Sequence, residues 1–116
     1  MSDYKRGDVV LVNLEPIRGS EQGLVRPCVV MSDLETIQAS NSKPLYVIIP
    51  LTRSNSLKGK LAPRLRAKAN NLPSDSTALI MHVRSIDYRR IIKRVTSLSK
   101  NDIKTLQLGL YELFNA

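Results

Sequence analysis

Tryptophan is absent from this 116-residue chain, and phenylalanine, cysteine and histidine occur once each. With aromatics at 4%, the core has to be built from Val, Ile and Leu. A single cysteine, Cys28, excludes an internal disulfide and points to a reducing, cytoplasmic location. It sits inside an apolar run, which reads as a buried structural thiol rather than a nucleophile. One histidine, one cysteine and no carboxylate cluster leave nothing with ligand spacing, so neither a metal nor another cofactor is expected. No apolar run approaches the roughly 18 residues that a membrane span needs, and the start, "MSDYKRGD", is charged rather than signal-like. No glycine pattern of a nucleophile elbow or phosphate loop is present.

Positive charge, by contrast, is plentiful. Eighteen basic residues against ten acidic give a formal charge of +8. A domain this basic calls for an anionic partner, with nucleic acid as the first candidate. The charge is also segregated. No acid occurs from Thr36 to Ser74, while Lys43, Arg53, Lys58, Lys60, Arg64, Arg66 and Lys68 all fall there. Such a segment suits a groove that follows a phosphate backbone.

The length fits one domain, residues 1–116, without linker or repeat. Short β-forming runs recur at 8–14, 26–32, 45–51, 62–68, 77–83 and 90–96, separated by Gly, Pro, Asn and Ser clusters. They predict a small, curled antiparallel sheet or barrel. The period then changes. Ile103, Leu106, Leu110, Leu113 and Phe114 share one face of a predicted C-terminal helix, with Ser99 as N-cap and Leu98 and Ile103 as hydrophobic staple. Gly109 weakens that helix locally, and its missing side chain suits close packing on the sheet.

If the strands alternate up and down, the loops 15–25 and 52–60 lie at one end. Arg26, Thr52, His82 and Arg84 then gather on one rim. Pro27 fixes its own backbone and pushes Arg26 into an extended conformation, so the arginine has a stiff mounting there. Arginine suits a phosphate, being always charged and able to donate two parallel hydrogen bonds. RNA carries its own nucleophile, the 2′-hydroxyl. A protein of this kind need only align it, stabilise charge on phosphorus and move protons.

Specific motifs sharpen this. Arg6-Gly7-Asp8, Glu15-Pro16, Gly19-Ser20-Glu21-Gln22 and Arg26-Pro27 occur in order, followed by "IIPLTRS" and "DSTALIMHVRSIDYRRI". Together they resemble the MazF/PemK toxin family over nearly the whole chain. The resemblance implies an SH3-like β-barrel with a terminal helix, CcdB/MazF-like, acting as a homodimer. It also implies a sequence-specific, metal-independent endoribonuclease of single-stranded RNA, held in check by a cognate antitoxin. The family's catalytic arginine and threonine map onto Arg26 and Thr52, and its glutamate onto Glu21. Glu21 acts as a base or orients Arg26. Candidate RNA contacts are Ser20, Gln22, Arg53, Lys58, His82 and Arg84, of which Arg84 also has Asp87 nearby as an ion-pair partner.

The sequence departs from the family pattern in three places. His82 replaces the usual glutamine, and Met81 stands where some plasmid members carry a catalytic aspartate. Leu11 replaces an aromatic residue of the first strand. Two other readings keep the barrel without the chemistry: a CcdB-like gyrase poison, and a nucleic-acid-binding barrel.

Overall fold

The computed structural model describes residues 4–14, 25–33 and 45–115. The strands are β1 (Asp8–Asn13), β2 (Val25–Val30), β3 (Leu45–Thr52), β4 (Arg64–Leu65), β5 (Ser76–Ala78), β6 (Arg84–Asp87) and β7 (Ile91–Ser97). Among the described residues there are also two α-helices, the one-turn α1 (Ala67–Asn70) and the C-terminal α2 (Lys100–Phe114). All strand pairs are antiparallel, in the order β4-β5-β3-β2-β1-β7, with β6 also on β3. The result is a curled antiparallel half-barrel with a C-terminal helix, as the sequence predicts.

Both faces of the central sheet are buried. Val9, Val29 and Ile49 form one row across β1, β2 and β3 and pack toward α2 with Leu65, Leu98 and Leu106. The alternate residues Val10, Val12, Cys28, Val30 and Ile48 face the other way, against Tyr46 and Ile86. Burial on both sides explains why these strands read as nearly continuous apolar runs rather than as alternation.

Helix α2 begins where the capping motif places it. Ser99 Oγ accepts the Asp102 backbone N–H at 3.2 Å, and Leu98 and Ile103 pack into the same cluster. A Cβ on Gly109 would collide with the Ile80 side chain and stand 3.3 Å from the Lys60 carbonyl, so the glycine permits the close approach. Gly7, at φ +95°, leaves no room for a Cβ against Ile103. One helix residue differs from expectation. Phe114 is 76% exposed, because the core-facing stripe is completed by Leu110 and Leu113.

The strand pattern needs three corrections. The run 62–68 yields only a two-residue strand, since Ala67–Asn70 turns into helix. Its first N–H is taken by Asp75 Oδ1 at 2.7 Å, a cap supplied from eight residues away. The run 77–83 breaks after Ala78 into a 3₁₀ turn at Ile80–His82, because β5 and β6 occupy the same edge of β3 in tandem. Finally, β4 runs antiparallel to β5, which runs antiparallel to β3. The segment 53–63 therefore recrosses the sheet, and β5 starts at the rim that strict alternation would have it end on.

Candidate active site

Two prolines shape the rim. Pairing between β2 and β3 runs only from Val30–Ile48 to Cys28–Pro50. Pro50 and Pro27 have no N–H to donate, so the ladder stops there and the two strands part. Arg26 lies beyond the last pair on β2, held on its other side opposite Val12 of β1. Thr52 lies beyond it on β3, held opposite Thr77 of β5. Each residue thus keeps one strand neighbour and faces the gap on the other side.

The gap is an open pocket of about 340 Å³. Arg26, Thr52 and Arg53 line it, with Leu11, Val25, Pro27 and Val95 on one side and Leu72, Pro73, Ser74 and Ser76 on the other. Every charged side chain among these is cationic. Apolar walls around two guanidinium groups and several hydroxyls suit an anion with a flat organic group attached.

The hydroxyl of Thr52 has a defined role in its own loop. Its Oγ1 accepts the Ser54 N–H at 3.3 Å. With a lone pair committed to the backbone, the hydroxyl proton remains to be donated toward the pocket.

Behind Arg26 lies Cys28, fully buried, whose thiol donates to the Arg26 carbonyl at 3.6 Å. Burial pushes the thiol up to about 12, against the lowering influence of Arg26 and Arg84. A thiol held protonated in this way is inert, as the sequence context suggests.

The remaining candidates are dispersed. Arg84 pairs with Ile48 in the middle of β3, and its Nη1 donates to the Leu14 carbonyl at 3.2 Å. Asp87 pairs with Arg89 at 2.9 Å. His82 is exposed on the 3₁₀ turn, and neither it nor Lys58 lines the pocket. Ser20, Glu21 and Gln22 lie outside the described residues.

Sequence reasoning missed the wall 72–76. Its signal was the Asp75-Ser76 step at the head of "DSTALIMHV", where Asp75 caps α1 and Ser76 faces the pocket.

The fold has close counterparts among solved structures. MazF from Deinococcus radiodurans (Form-I) matches with a TM-score of 0.75 at 24% identity, covering 98% of this chain and 100% of that one. The MazE-MazF structure from the same organism (Form-II) matches with a TM-score of 0.77 at 24% identity, covering 97% and 98%. A third, MazE-MazF Form-III, gives 0.73 at 22% identity, covering 97% and 96%. The sequence itself matches the model of the PemK-like, MazF-like toxin of type II toxin-antitoxin systems over residues 5–114. With nearly the whole chain matched, the protein belongs to the PemK/MazF-like family of type II toxin–antitoxin toxins.

Proposed function

We propose that this toxin is a sequence-specific endoribonuclease that cuts single-stranded RNA without a metal ion. The observation that carries the reading is the meeting of Arg26 and Thr52, far apart in sequence, at one pocket whose charged lining, among the described residues, is cationic.

In this reading the substrate 2′-oxygen attacks the adjacent phosphorus and loses its proton. The bond from phosphorus to the 5′-oxygen breaks, and that oxygen takes up a proton. The products are a 2′,3′-cyclic phosphate and a 5′-hydroxyl. Arg26 stabilises the charge that grows on the phosphate oxygens, and the Thr52 hydroxyl donates to one of them, holding the phosphate in line. An arginine keeps its charge at working pH and is a poor base, so proton removal falls to another group. Glu21 belongs to the same motif, and Glu21→Gln separates proton transfer from orientation of Arg26. Arg53 and Lys58 supply further phosphate contacts along the strand.

The same positive surface suits an acidic antitoxin segment, which would exclude RNA by occupying its groove. MazF of Deinococcus radiodurans was crystallised with MazE, consistent with such a partner here. A homodimer is supported by apolar side chains that α2 leaves outside the core, namely Leu108, Tyr111 and Phe114.

The test uses purified protein and a long RNA, followed by an oligonucleotide carrying one 2′-deoxy sugar at the mapped cut. Discrete fragments with cyclic phosphate ends, undiminished by EDTA, are expected, and the deoxy substrate should bind yet survive. Cleavage of the deoxy substrate, or a strict magnesium requirement, overturns the mechanism. RNA left intact returns the protein to the non-catalytic toxins of this fold.

A further inference from the structure

Arg64 is absent from the motifs that mark the family resemblance, and it does not line the pocket. Its position is nevertheless specific. Thr52 of β3 pairs with Thr77 of β5, and Thr77 pairs with Arg64 of β4, so the three residues form one row across the sheet. The Arg64 Nη1 donates to Thr77 Oγ1 at 2.9 Å, to the Arg53 carbonyl at 2.9 Å and to the Ser54 carbonyl at 3.1 Å. Thr77 is fully buried, so the end of the guanidinium that reaches it is anchored.

Those two carbonyls belong to the segment that leaves β3. It has no ladder partner of its own and is held by small side-chain bonds. Ser54 N–H donates to Thr52 Oγ1 at 3.3 Å, Ser56 N–H to Ser54 Oγ at 3.3 Å, and the two serine hydroxyls meet at 2.9 Å. Each is a weak, exposed bond that water competes for. A charged donor on the carbonyls of Arg53 and Ser54 is the strongest restraint on this turn.

We infer that Arg64 is a positioning residue for the nuclease site: it locks the turn after β3 so that Ser54 N–H stays on Thr52 Oγ1. The Thr52 proton is thereby aimed at the phosphate. This rests on the proposed nuclease reading and adds to it a residue that never touches the reacting atoms. A misplacement of about 1 Å in such a group costs up to about a hundredfold in rate.

Two measurements test it. Amide hydrogen exchange, read by NMR on the free protein, needs no activity. Arg64→Ala should accelerate exchange of the Ser54 amide while strands β1 to β3 keep their protection, and Arg64→Lys should restore part of it. Unchanged Ser54 exchange in Arg64→Ala overturns the inference, whatever the protein does to RNA. The second measurement is a double-mutant cycle on cleavage. Arg64→Ala should lower kcat about tenfold to a hundredfold with little change in KM, and should cost almost nothing further in a Thr52→Ala background. Additive losses, or a loss confined to KM with a reduced salt slope, would make Arg64 an ordinary phosphate contact and overturn the role. A parent protein that leaves RNA intact removes the nuclease reading alone, and the exchange result still decides whether Arg64 holds the turn.

Discussion

Arg26 and Thr52 stand on opposite banks of the gap that opens between β2 and β3 past the Cys28–Pro50 pair. Both line the pocket that this gap forms. Replacing Arg26 with Ala should therefore cut the cleavage rate about a hundredfold to a thousandfold, and Thr52→Ala somewhat less. Both residues are only half-buried at the rim, so thermal stability should change little. Single-turnover cleavage beside a thermal melt checks the pair, and a matching loss of fold and activity would refute a role at the phosphate.

His82 should contribute little to the pH dependence of cleavage. Its ring is exposed on the turn between β5 and β6 and lies outside the pocket lining. The pH–rate profiles of the parent and His82→Gln, taken across the histidine range near pH 6.5, should superimpose. A displaced limb in the variant would bring the histidine into the chemistry.

The chain alternation that placed His82 and Arg84 on the rim fails for a tertiary reason. Segment 53–63 recrosses the sheet, and nothing local in "TRSNSLKGKLAP" distinguishes a recrossing from a hairpin. The α1 turn was equally hidden, because its cap, Asp75, arrives from beyond the helix. Features encoded locally were legible. Ser99 with Asp102 marks the start of α2, the apolar stretch "YVIIPL" marks a strand buried on both faces, and Arg26-Pro27 marks where β2 and β3 part. Two expected site residues, Arg26 and Thr52, come together because each ends a buried strand, and buried strands are what hydrophobic pattern reports best.

The Cys28 thiol supplies a test of the buried sheet face. Its value is raised from 9.0 to about 12, so between those values the folded state holds a proton that the unfolded chain has lost. Stability should fall with rising pH in that window, by at most about 1.4 kcal/mol per unit. Urea unfolding of the parent and Cys28→Ala above pH 9 should show a steeper decline for the parent. The native thiol should also resist alkylation at pH 8 and react once unfolded, and rapid labelling of the native protein would contradict the burial.

Asn70 should be the costliest polar residue to lose outside the site. Its side chain donates to the Arg66 carbonyl at 2.9 Å and to Asp102 at 2.7 Å, and accepts the Ser99 N–H at 2.8 Å. It thus ties α1 and the adjoining pocket wall to the start of α2 while almost fully buried. Asn70→Ala strands a backbone donor and a carboxylate, at a cost of about 2–4 kcal/mol. A lower urea midpoint with an unchanged slope is expected, and a midpoint within 0.5 kcal/mol of the parent, roughly the scale of an ordinary surface change, would show the network to be dispensable.

The pairing of β1 with β7 carries a consequence for synthesis. The Ser97 hydroxyl reaches Asp8 across 89 positions of sequence, and Leu98 N–H reaches the Gly7 carbonyl. On the ribosome the first strand emerges long before the partner that flanks it, and such distant closures form late. Until β7 and α2 emerge, Val9, Val29 and Ile49 have no helix over them, and the pocket lacks Val95. A nascent chain thus holds an open sheet face and an incomplete pocket until β7 and α2 have joined them.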